Sequence, residues 1–122
     1  MHSYTKQPQV YFKKRSRFGN KYGNKVIHTP EGKFDSKMEY TRFKELQILE
    51  RIGDITSLQR QVAFVLTAHG VDICKYVADF VYYQNGLKVV EDVKGVQTPE
   101  FKLKAKLFQA QHGFGIYLTG GK

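Results

Sequence analysis

The chain has 122 residues, of which 20 are Lys or Arg and 11 are Asp or Glu, giving a formal net charge of +9. That length matches a single domain, and 41% hydrophobic with 14% aromatic residues excludes a wholly disordered chain. One cysteine, Cys74, excludes an internal disulfide framework, and His2, His28, His69 and His112 lack any zinc-binding spacing.

The charge is concentrated at the start. Residues 1–33 hold eight basic residues and one acid, for +7, whereas residues 34–122 hold twelve and ten, for +2. In this arm Lys13, Lys14, Arg15, Arg17, Lys21 and Lys25 alternate with Tyr11, Phe12, Phe18 and Tyr22. Cations that displace counterions from phosphates, interleaved with rings that stack on bases, suit nucleic acid. The alternative is a solubilising tail, which seldom carries so many rings. Two domains are expected in this sense: a basic arm over 1–33 and a folded unit over 34–122.

Residues 36–52 have helical periodicity, with Met38, Phe43, Leu46, Leu49 and Ile52 recurring on one side and Gly53 as a stop. Ser36 followed by Glu39 is a capping-box pattern. Strands are predicted at 62–67, 75–83 and 87–94, the last two joined by Asn85-Gly86, the strongest local hairpin signal. Pro99 opens a second helix to about Gln111, with Phe101, Leu103, Leu107 and Phe108 as its apolar residues; a short strand at 115–119 follows. The expected fold is a mixed α/β domain on one sheet, in the order α-β-β-β-α-β. The longest apolar run, 62–66, is too short to span a bilayer, and no apolar stretch follows the N-terminal charges. A cytoplasmic protein without a membrane partner is expected.

With Asn85 and Gly86 as the turn, paired positions sum to 171, so Asp79 faces Asp92 and Lys94 lies two residues beyond on the same face. Carboxylates directly across neighbouring strands repel unless solvated, protonated or bridged by a cation. Oxygen ligands without His or Cys suit Mg²⁺ or Mn²⁺. The competing reading is a solvated sheet face on which Lys94 offsets two acids. Glu91 points to the opposite face, across from Phe80, and a one-residue slip would exchange it with Asp92. Glu39 falls within the apolar stripe of the first helix, where an unpaired carboxylate is costly, although Arg42 in the same sector is a ready partner.

The run FDSKMEYTRFKELQILERIGDI, followed by YVADFVYY and VVEDVKG, resembles an uncharacterised phage-borne family of the PD-(D/E)XK nuclease superfamily. The resemblance implies a restriction-endonuclease-like domain. Asp79 and Asp92 would hold Mg²⁺ or Mn²⁺, Glu39 would complete the acidic cluster, and Lys94 would assist the attacking water. Ala78 stands where the motif has Pro, and Asp92 where Glu is commoner. Gln59 or Gln61 occupies the place of a helper glutamine, and Lys102, Lys104 and Lys106 follow as candidate phosphate contacts. The expected function is a metal-dependent DNA endonuclease selective for branches, resembling phage Holliday-junction resolvases. It would act as a homodimer in the bacterial host cell. The alternative is a non-catalytic nucleic-acid-binding protein on the same fold.

Overall fold

The computed structural model describes residues 25–120. A hairpin comes first: β1 (Ile27–Thr29) and β2 (Gly32–Phe34) pair antiparallel. Thr29 closes its turn, its Oγ1 accepting from the Glu31 N–H (3.1 Å) and donating to the Gly32 carbonyl (2.9 Å). Pro30 presets the backbone there, and Gly32 takes φ +124°, open to glycine. The element order is thus β-β-α-β-β-β-α-β, not the predicted α-β-β-β-α-β. The boundary expected at residue 33 also falls inside β2, whose Phe34 is fully buried.

Helix α1 (Lys37–Arg51) starts where the capping signal predicts, with Ser36 Oγ accepting from the Glu39 N–H at 3.1 Å. It buries Glu39, Phe43 and Leu46, whereas Met38 and Ile52, expected on the apolar side, are exposed. The strands β3 (Thr56–Ala68), β4 (Val71–Gln84) and β5 (Leu87–Val93) run antiparallel in succession. Helix α2 (Pro99–His112) then returns the chain so that β6 (Tyr117–Thr119) pairs parallel to β5. The result is a mixed sheet in the order β3-β4-β5-β6. Among the described residues, no helix is long and apolar enough to cross a membrane.

The predicted register holds as far as Phe80↔Glu91, where the ladder ends before the expected Asp79–Asp92 pair. Asn85 and Gly86 take φ of 55° and 80°, and every pair from Gln84↔Leu87 to Phe80↔Glu91 sums to 171. The β3–β4 turn, His69-Gly70, also has two positive φ values, and that second hairpin carries both strands past their predicted limits.

Two cores flank the sheet. On one face α1 and β2 bring Phe34, Phe43 and Leu46 against Phe80 and Tyr82. On the other, α2 brings Phe101 and Phe108 against Leu66, Tyr76, Ala78 and Val90. Side chains alternate between faces along a regular strand, and β5 does so, with Val89 and Val93 toward α1 and Val90 toward α2. The strands β3 and β4 break the alternation together. Leu58 and Phe80 face α1, whereas Val62, Phe64, Tyr76 and Ala78 face α2. The change of face falls at Gln61 and Asp79, the one step missing between Arg60↔Phe80 and Val62↔Ala78. Gln61 has φ +52°, a left-handed conformation that costs a non-glycine residue about 1–2 kcal/mol.

Candidate functional site

The face change decides what surrounds Asp79. Regular pairing of β4 with β5 ends at Phe80↔Glu91, and beyond it the Val93 N–H donates to Asp79 Oδ2 at 2.8 Å. The carboxylate thus replaces the main-chain partner where the two strands separate. Asp92 follows on β5, 3% exposed, and its Oδ2 accepts the Tyr76 hydroxyl at 2.6 Å. Asp79 lies close enough to Asp92 to feel its charge directly. Burial first, then the Asp92 charge, then Glu39, holds Asp79 well above the usual carboxylate range.

Glu39 approaches from α1. It is 4% exposed, and Gln61 Nε2 donates to its Oε2 at 3.1 Å. Burial pushes its carboxyl up to about 7, with Asp35 and Asp92 acting in the same direction and the Arg60 cation opposing them. Arg60 is itself stacked over the Phe34 ring at 3.8 Å, tying the N-terminal hairpin to this region. Lys94, just past β5, places Nζ 3.6 Å from Asp92 Oδ1 and 4.5 Å from the centre of the Phe101 ring. Its N–H donates to the Thr119 carbonyl at 2.9 Å, which anchors the residue at the end of the β5–β6 pair.

Asp79, Asp92, Glu39, Lys94 and Gln61 are therefore gathered at one end of β5, while Gln59 is exposed along β3. Glu91 serves another purpose. It is fully buried and accepts from Arg42 Nε (2.6 Å), Arg42 Nη2 (3.2 Å), Tyr82 Oη (2.6 Å) and Thr119 Oγ1 (2.7 Å). With both oxygens occupied on the α1 face, it is a structural ion pair. Arg42, a ready partner for Glu39 by sequence, pairs instead with Glu91 and, through Nη1, with Glu45 Oε1 at 3.0 Å. An open depression of about 610 Å³ beside α1 is lined by Lys37, Arg42 and Thr119 rather than by Asp79 or Asp92.

The phosphate-contact candidates divide. Lys102 and Lys106 are exposed, but Lys104 is buried and pairs with Glu100 Oε2 at 3.1 Å. Leu103, expected among the apolar residues of the helix, is 60% exposed instead. Lys25 is exposed, whereas Lys13, Lys14, Arg15, Arg17 and Lys21 lie outside the described residues. Cys74 is partly buried with its thiol pushed up by burial, as suits an unreactive packing residue.

Among the described residues, no three His, Cys, Asp or Glu side chains converge closely enough to enclose a metal ion. The donor set is nevertheless one that Mg²⁺ fits. That ion keeps several waters and typically takes only one or two protein carboxylates. Asp79 and Asp92 supply such a pair, and a cation between them would relieve their mutual repulsion. Tyr76 is the participant that sequence reasoning missed. The period-2 alternation places it on the Ala78 face, but its approach to Asp92 depends on the change of face at Asp79.

Residues 19–118 match the protein family described as "Protein of unknown function (DUF1064)". No curated protein and no solved structure matches the chain.

Proposed function

The chain belongs to the DUF1064 family, and we propose that it acts as a Mg²⁺- or Mn²⁺-dependent DNA endonuclease on a restriction-endonuclease-like fold. The observation that carries this reading is the placement of Asp79 and Asp92, with Glu39 behind them and Lys94 beside them, where β4 and β5 separate. Two buried acids, Glu39 and Asp92, beside a half-buried Asp79 are costly to the fold, and a cation-binding role accounts for their being placed together. Asp79 and Asp92 would hold the ion, and Glu39 would add negative charge from α1. A divalent cation, when bound, supplies Lewis-acid polarisation of a phosphodiester and acidifies water.

The chain's own residues supply the rest. The Lys94 ammonium, steadied by the Phe101 ring, offers positive charge beside Asp92 for the charge that develops on phosphate oxygens. Lys102 and Lys106, exposed on α2, and the basic residues of 1–33 contact the DNA backbone. Branch selectivity and paired cutting by a homodimer complete the proposal, since a twofold dimer presents two sites to two strands.

The test is cleavage of branched and linear DNA, with RNA as a parallel substrate, in Mg²⁺ or Mn²⁺. Cutting of DNA, faster on branches and abolished by chelator, is the expected result. Asp92→Asn and Lys94→Ala should each lower the rate by on the order of a hundredfold or more while binding persists. Tight, salt-dependent binding with no cleavage in either metal would replace the enzyme with a non-catalytic nucleic-acid-binding protein.

A further inference from the structure

We propose that Tyr76 is a positioning residue for the divalent cation, its hydroxyl holding Asp92 so that Oδ1 is the oxygen turned toward Lys94. The inference rests on the reading of Asp79 and Asp92 as cation ligands. Tyr76 is 3% exposed and packs among the rings of Phe64, Phe101 and Phe108, at centroid distances of 6.2, 6.2 and 6.0 Å. Phenylalanine would satisfy that packing equally well. The hydroxyl is what distinguishes tyrosine here, and it donates to Asp92 Oδ2 at 2.6 Å. A carboxylate rotates easily about its terminal torsion, so pinning one oxygen determines where the other points. Asp92 Oδ1 lies 3.6 Å from Lys94 Nζ.

Two further features support the role. The other two acids are held in the same way by uncharged donors, Asp79 Oδ2 by the Val93 N–H and Glu39 Oε2 by Gln61. The Phe101 ring also connects Tyr76 to Lys94, since both pack on it. Removing such a ligand-orienting hydrogen bond typically weakens metal binding about 10- to 100-fold.

The experiment is calorimetric titration of Mn²⁺ into the full chain, comparing wild type, Tyr76→Phe and Asp92→Asn. The expected results are binding by wild type, a dissociation constant raised about tenfold or more in a cooperatively melting Tyr76→Phe variant, and no binding by Asp92→Asn. A Tyr76→Phe constant within about twofold of wild type would overturn this inference and leave the cation reading standing; that outcome would make the hydroxyl purely structural. No binding by wild type would overturn both. A second measurement needs no folded Tyr76 variant. The chain has no Trp, so Tyr dominates its near-ultraviolet absorbance. Saturating wild type with spectroscopically silent Mg²⁺ should perturb that band, and Asp92→Asn should not respond. An unperturbed band at saturation would refute the contact between Tyr76 and the cation-bearing carboxylate.

Discussion

Glu39 is 4% exposed, and its carboxyl is pushed from 4.5 up to about 7, first by burial and then by Asp35, with Asp92 adding to them. A displacement of that size makes the ionised side chain cost the fold about 3 kcal/mol. Below 4.5 the carboxyl is protonated in the folded and unfolded chains alike, and the cost is absent. Between 4.5 and about 7 the unfolded chain ionises first and stability falls; above that window the loss is complete. Glu39→Gln preserves shape and can still accept from Gln61, but carries no charge. In chelator at about pH 8 the variant should therefore exceed wild type by about 3 kcal/mol. For a domain of this size that is a rise in Tm on the order of 10–20 °C, and the gap should vanish near pH 4. Thermal unfolding followed by circular dichroism at both pH values measures it. A variant no more stable than wild type at about pH 8 would mean that Arg60 fully compensates the charge, and would refute the reasoning.

The Glu91 network makes the opposite kind of prediction. Arg42→Ala strands a fully buried carboxylate and should cost about 3–5 kcal/mol in chemical denaturation, whereas Arg42→Met with Glu91→Met should recover most of it. Gln111 on α2 accepts from the Thr67 N–H (2.8 Å) and donates to the Val65 carbonyl (3.1 Å), occupying main-chain groups of the outer strand β3. Gln111→Ala should cost about 1–3 kcal/mol and speed amide exchange at Thr67, read by hydrogen-exchange NMR.

The legible parts were those with a local cause. Asn85-Gly86 fixed the β4–β5 register through its two positive φ values, and with it the approach of Asp79 to Asp92. Ser36 marked the start of α1, and the helical wheel placed Glu39 among the buried residues. What escaped depends on contacts distant in sequence. The hairpin over 27–34 has a readable Thr-Pro-Glu-Gly turn, but its strands become part of the fold only because Phe34 meets Tyr40 and Phe43. The partner of Arg42 was not legible because Glu91, 49 residues away, comes to α1 only through the sheet. Lys104 and Leu103 exchanged roles because small differences in helix rotation decide which neighbour faces the sheet. The change of face at Gln61 and Asp79 has no signature in composition, since it is a property of two paired strands.

The central claim is that Asp79 and Asp92 are the ligands of a divalent cation. A crystal of the protein soaked in Mn²⁺, with anomalous diffraction recorded near the manganese edge, tests it directly. The expected result is a peak contacting both carboxylates, with Lys94 nearby and Glu91 still bound to Arg42. A peak at Glu91, or none at Asp79 and Asp92 in a crystal with manganese bound elsewhere, would contradict it.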